Sequence, residues 1–223
     1  MYVIKDMSEQ VPQADLDLLS GVETATVGHW RLLGFMDRGI QPLLPKRRVV
    51  GTAVTLAIPG PDSTLLHHAT GLLRPGDILV VDRLGDDKYA CWGGGVTVAA
   101  RAAGAVAGVV DGPCTDLTEI EELNFPMWSR GLSPITTRLY DLGGGLNIPV
   151  SCGGVVVMPG DAILADESGV LVIPRDEVRV VAETALGEQE ISKKRLPMVH
   201  DKVQKLGELS GATAKVLAKL SSR

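Results

Sequence analysis

Between residues 49 and 173 the chain is divided into short apolar segments, each closed within a few residues by glycine, proline or aspartate. Segments of this length, rich in Val, Ile and Leu, read as strands. Residues 49–58 form the first, ended by Pro59-Gly60-Pro61. Residues 65–73 suit a short helix, and Arg74-Pro75-Gly76-Asp77 is a turn. Residues 78–82 make a buried strand that ends in the carboxylate of Asp82. Residues 93–103 read as a glycine-led loop running into a helix. Residues 105–110 are another apolar strand, stopping at Asp111-Gly112-Pro113. A helix is expected over 116–123, with Asp116 at the N-cap and Glu119 at the third helical position as a capping pair. Further strands are expected at 126–130, 150–157, 162–165 and 169–173. Strands this short at such turn spacing predict a compact β-rich layer rather than long alternating βαβ units.

The flanks differ. Residues 14–19 and 26–36 carry apolar residues at three- and four-residue steps and predict helices. From Asp176 the pattern is helical again, with Val203, Leu206 and Leu209 on one stripe and Val216, Leu217 and Leu220 further on. The expected organisation is one domain over residues 1–175 and a helical extension over 176–223, packed on its own or a neighbouring subunit. The 27 acidic residues exceed the 22 basic ones, for a formal charge of -5, which argues against a nucleic-acid partner. Aromatic residues make up 4%, so aliphatic side chains must fill the core. Three cysteines (Cys91, Cys114, Cys152) without metal-type spacing suit a reduced, cytoplasmic setting. No signal peptide and no apolar run of about 18 residues is visible, so no membrane role is expected.

Three elements carry candidate chemistry: Asp82 at a strand end, Trp92-Gly93-Gly94-Gly95-Val96 before a helix, and Asp111-Gly112-Pro113-Cys114-Thr115-Asp116 between a strand and a helix. Ligands of α/β sheets gather at strand ends and helix starts. Backbone N–H groups at a helix N-terminus bind an anion without a charged side chain. Residues Gly93, Gly94, Gly95 and Val96 are therefore candidates to hold a small carboxylate or phosphate. A dinucleotide fingerprint fits poorly. Val98 stands where the third glycine is expected, and residues 83–92 separate the strand from the first glycine, where that fingerprint needs a tight turn.

The ordered series GTAVTL (51–56), PGDILVVD (75–82), WGG (92–94), GVVDGPCTD (108–116), SRGLSP (129–134), NIPVSCGGVVVMPGD (147–161) and ADESGVLVIP (165–174) resembles the RraA-like family. That family contains class II 4-hydroxy-4-methyl-2-oxoglutarate/4-carboxy-4-hydroxy-2-oxoadipate aldolases and regulators of ribonuclease E activity. The resemblance implies an α/β fold of three β/β/α layers, the swivelling-domain type, assembled as homotrimers or hexamers. For the aldolase branch it implies a divalent cofactor, Mg²⁺ or Mn²⁺, and a small carboxylate substrate. On this resemblance residues 93–96 are the amide cradle and Asp116 is the metal ligand; Asp82 at its strand end, Thr115 beside the metal ligand, and His29 as an acid–base group near neutral pH are further candidates for the catalytic group.

The sequence departs from the family pattern in three places. Thr115 stands where the resemblance implies an arginine, so a bidentate charged fork is replaced by one hydroxyl. Loss of one such contact to developing negative charge costs about 2.7–4 kcal/mol, or about 10²–10³ in rate. Gly94 stands in place of an acid, and His29 in place of an aspartate of the first helix. Either Arg83 or Arg130 is a candidate to supply the missing charge. The leading expectation is a metal-dependent lyase that cleaves a C–C bond beside a carbonyl, by retro-aldol cleavage or decarboxylation, on an altered substrate. The alternatives are a non-catalytic regulator that binds a protein partner, and an enzyme of the same fold with a substrate that is not a keto acid.

Overall fold

The computed structural model describes residues 1–222. In chain order the elements are β1 (Tyr2–Ile4), α1 (Gln13–Ser20), α2 (Thr24–Val27), β2 (Gln41–Pro42), β3 (Val49–Ala57), α3 (Thr64–Thr70), β4 (Asp77–Asp82), α4 (Gly94–Ala102), β5 (Ala107–Val110), α5 (Leu117–Glu122), β6 (Met127–Ser129), β7 (Gly144–Leu146), β8 (Val150–Cys152), β9 (Val155–Val157), β10 (Ala162–Asp166), β11 (Gly169–Ile173), α6 (Val178–His200), α7 (Leu206–Leu209) and α8 (Ala212–Ser221).

The chain from β3 to β6 is a run of parallel crossovers. β3 pairs with β4, β4 with β5 and β5 with β6, all parallel, with α3, α4 and α5 as the connections. This differs from the expectation of a β-rich layer without βαβ units. Helices of six to nine residues are too short to show a sustained helical period, so the turns between strands dominate the pattern. The β-rich expectation does describe the later chain, where β10 pairs antiparallel with both β11 and β3.

Three apolar cores separate the layers. The helices α3, α4 and α5 cover one face of the sheet through Leu65, Leu66, Val96, Ala100 and Ile120 against Leu56, Leu79, Val81 and Val110. The other face (Ala53, Ile78, Val80, Val109) packs on the β8–β9 hairpin and on β10–β11. The outer side of β10–β11 is covered by α1, α2 and the first half of α6 through Leu16, Leu19, Val27, Val181, Ala182 and Ala185. The result is a mixed α/β structure with helical, sheet and hairpin layers. The start of the C-terminal helical segment is thus seated on its own chain, whereas Leu196, Met198, Val216, Leu217 and Leu220 further along are exposed.

Two expected elements are reshaped by glycine. The helix expected over 26–36 ends at Val27, and Gly34 sits at φ +94, where an added Cβ would lie 2.4 Å from the Val172 carbonyl oxygen. Only glycine fits there, and the chain turns to bring Phe35 beside Leu171 instead. The strand expected over 150–157 is a hairpin. Gly153 and Gly154 both take positive φ (56 and 74), the geometry of a tight two-residue turn.

Candidate active site

The loop before α4 and the turn before α5 are tied to each other. Trp92 and Cys114 form a parallel bridge, and the Thr115 N–H donates to the Trp92 carbonyl at 2.9 Å. The Trp92 indole N–H donates to the Thr97 hydroxyl, which in turn donates to the Gly93 carbonyl, both at 2.9 Å. These contacts fix the opening turn of α4 against residues 114–116.

Asp116 immediately precedes α5, as expected, but it does not form the expected capping pair. Its backbone is left-handed (φ 54, ψ 47) and its side chain makes no capping bond to α5. Instead its Oδ2 accepts the Gly94 N–H at 2.9 Å, and its Oδ1 accepts the Thr115 hydroxyl at 3.1 Å. A carboxylate at the first turn of α4 is favoured by the free N–H groups and the helix dipole, which outcompetes the local cap. Asp116 itself thus uses one amide of the expected cradle. Gly95 and Val96 lie in the first turn of α4 with N–H groups that find no acceptor among the described residues.

Beside this pair lies a cleft of about 250 Å³. Gly93, Gly95, Val96, Thr115 and Asp116 line it together with Ser63, His67, Cys91 and the segment Thr136, Thr137, Arg138 and Leu139. The structure therefore brings together Thr115, Asp116 and the glycine loop. It does not bring Asp82 or His29 to this cleft within the chain. Asp82 accepts the N–H groups of Leu84 (2.7 Å) and Ser151 (3.2 Å), tying the end of β4 to β8. His29 is exposed in the turn that follows α2.

Neither arginine considered as a replacement charge reaches the cleft lining. Arg83 is fully buried and donates to the carbonyls of Gly60 and Tyr89 and to Asp86. Arg130 bridges Asp37 and Asp111. The two charged or titratable lining residues that sequence reasoning missed are His67, in the last turn of α3, and Arg138, in an irregular segment. Asp62 places both. Burial pushes its carboxyl up, but hydrogen bonds from the Thr64 hydroxyl and from the N–H groups of Tyr140, Thr64 and Leu142 outweigh that and hold it at about 2. The carboxylate thereby joins the start of α3 to residues 140–142. An Asp-Ser-Thr run before a helix is the one sequence signal that could have drawn attention here.

The three cysteines are free and buried. Burial raises the Cys91 thiol to about 11 and raises those of Cys114 and Cys152 as well. Cys91 is therefore a poor nucleophile despite lining the cleft.

The described residues contain no group of three or more His, Cys, Asp or Glu side chains arranged around one point, so a fully protein-ligated ion such as structural zinc does not suit this site. The cleft offers one carboxylate, Asp116, and the hydroxyls of Ser63, Thr115, Thr136 and Thr137, all hard oxygen donors, and room for water. That fits Mg²⁺ or Mn²⁺, since Mg²⁺ dehydrates reluctantly and is commonly held by one or two carboxylates. No helix among the described residues is long and apolar enough to cross a membrane.

The sequence and the fold match known proteins. The family model RraA-like (Aldolase/RraA) matches residues 24–172. A protein of Halalkalibacterium halodurans, provisionally named a 4-hydroxy-4-methyl-2-oxoglutarate aldolase, is 35% identical over 164 residues, covering 74% of this chain and 78% of that one. Among solved structures, Streptomyces coelicolor RraAS2, described as an unusual member of the RNase ES inhibitor RraA protein family, superposes with a TM-score of 0.76 at 26% identity. It covers 84% of this chain and 98% of its own. An uncharacterised protein of Pseudomonas syringae pv. tomato shares the fold with a TM-score of 0.77 at 22% identity, over 93% of this chain and 98% of its own. Since the family model spans more than half of its length, the chain belongs to the RraA-like family.

Proposed function

We propose that the chain is a divalent-metal-dependent lyase that cleaves a C–C bond next to the carbonyl of a 2-oxo acid. The observation that carries this reading is the Asp116 carboxylate, held by the Gly94 N–H and the Thr115 hydroxyl at the edge of a cleft floored by the first turn of α4. Asp116 and waters would hold Mg²⁺ or Mn²⁺ there, which when bound supplies a Lewis acid for the substrate carbonyl.

The chain's own groups have separate roles. The unpaired amides of Gly95 and Val96, at the positive end of α4, receive a substrate carboxylate. Thr115 spends its hydroxyl proton on Asp116 and so fixes the orientation of that carboxylate. Retro-aldol cleavage requires removal of the hydroxyl proton as the C–C electron pair moves toward the carbonyl. His67 is the general-base type of side chain in the cleft wall. Asp82 and His29 have no part in this reading.

The test is pyruvate release from 4-hydroxy-4-methyl-2-oxoglutarate and from oxaloacetate, with Mg²⁺ or Mn²⁺ and after chelation. Turnover that needs the ion and falls at least 100-fold in Asp116→Ala supports the reading. Turnover no faster than this variant's background refutes it.

The similarity to RraAS2 and the neutral residue at Thr115 favour one second reading, a non-catalytic regulator that binds a protein partner. A stoichiometric partner that is captured equally by Asp116→Ala, together with absent turnover, would select it.

A further inference from the structure

We propose that Arg138 is the specificity-determining cation of this cleft and pairs with a second carboxylate of the substrate, remote from the one at α4. The inference rests on the reading of the cleft as a 2-oxo-acid site. Thr115 contributes only a hydroxyl, and Asp116 adds negative charge beside any anion that enters. The guanidinium of Arg138 is the one permanent positive charge among the lining residues.

Arg31, Arg48, Arg74, Arg83, Arg130, Arg175 and Arg179 each pair with a carboxylate. The Arg138 side chain has no ion-pair or hydrogen-bond partner among the described residues. Among the described residues Arg38, Arg101 and Arg195 likewise have no side-chain partner, but only Arg138 of the unpaired arginines lines the cleft. Its backbone, by contrast, is held on both sides. The Arg138 N–H donates to the Pro61 carbonyl at 2.8 Å, and its own carbonyl accepts the Ser63 N–H at 2.9 Å. One residue before it the Thr137 N–H donates to the Ala90 carbonyl at 3.1 Å, and two residues after it the Tyr140 N–H donates to buried Asp62 at 3.0 Å. A fixed main chain carrying an uncommitted guanidinium at a cleft wall is a prepared anion contact, because less ordering is needed when the ligand arrives. Two anion-receiving points, the α4 amides and Arg138, favour a 2-oxo dicarboxylate over a monocarboxylate.

Calorimetry with two uncleaved probes, 2-oxoglutarate and 2-oxobutyrate, tests this in the presence of Mg²⁺. Arg138 is exposed, so Arg138→Ala should melt like the wild type, which a thermal scan checks. The expected result is that Arg138→Ala weakens 2-oxoglutarate at least about tenfold and 2-oxobutyrate less than about threefold, while Arg138→Lys retains most of the preference. Unchanged binding of 2-oxoglutarate in Arg138→Ala overturns this inference and leaves the lyase reading standing. Equal weakening of both acids overturns the assignment to the second carboxylate. A wild-type protein that binds neither acid overturns this inference and the lyase reading together.

Discussion

Gly93→Ala isolates the contact on which the site is built. Gly93 has an extended backbone (φ -144, ψ -160) that alanine adopts without strain, so the substitution acts through space alone. An added Cβ would lie 2.3 Å from Asp116 Oδ2 and 2.8 Å from Thr115 Cγ2. Ordinary van der Waals contact begins near 3.4 Å, so the carboxylate must retreat by about 1 Å. That displacement breaks the 2.9 Å bond from the Gly94 N–H, a charge-assisted contact worth about 1.5–3 kcal/mol. A misplacement of about 1 Å in a reacting constellation costs about 10²-fold in rate. Pyruvate release under saturating Mg²⁺ should therefore fall about 100-fold in kcat/KM, with weaker apparent Mg²⁺ affinity. The fold should survive, since overpacking at one site costs about 1–3 kcal/mol. A Gly93→Ala protein within threefold of wild type in both quantities would show that the Asp116 position is immaterial to turnover.

Other consequences follow from the same contacts. Arg130→Ala should cost no more than about 1 kcal/mol of stability, since its bridge to Asp37 and Asp111 is partly exposed, and should leave turnover unchanged; a large rate loss would contradict the separation of Arg130 from the cleft. Asp62 has a folded-state pKa lowered to about 2 from the ordinary 3.8 of an aspartate, so its contribution is present above pH 4 and disappears as pH falls through 2. At roughly 1.4 kcal/mol per unit it amounts to roughly 2 kcal/mol. Urea titrations of Asp62→Asn should show that deficit at pH 6 and a much smaller one near pH 2, and equal deficits at both would refute it. The three buried thiols should resist iodoacetamide at pH 8 in the folded protein and react on unfolding; rapid labelling of Cys91 in the native state would contradict its raised pKa.

The parts of the site visible in the sequence are those that depend on local chain geometry. Glycines 93–95 before a helix, and an aspartate after an Asp-Gly-Pro turn, announce themselves because backbone conformation limits which residues fit. The partner of Asp116 was less accessible. A local cap was the natural expectation, and a tertiary acceptor role at Gly94, which lies 22 residues earlier, won because the first turn of α4 carries unpaired donors. His67 and Arg138 were not legible at all. One sits at a helix end where a histidine is unremarkable, and the other lies in an irregular segment positioned by Asp62, 76 residues earlier. The strands from β3 to β6 were located well, but their parallel order was not, because pairing partners are chosen by crossovers that periodicity does not encode. The reshaped segments at Gly34 and at Gly153-Gly154 show the same limit, since each glycine's role depends on a backbone that lies elsewhere in the chain or on a turn type.

The most direct test of the account is Mn²⁺ binding followed by electron paramagnetic resonance in the wild type and in Asp116→Asn, which keeps the size of the side chain and removes its charge. The account predicts one bound ion per chain at submillimolar Mn²⁺ in the wild type and its loss in the variant, with both proteins melting within a few degrees. Equal Mn²⁺ binding by the two proteins, or none by either at millimolar supply, would contradict it.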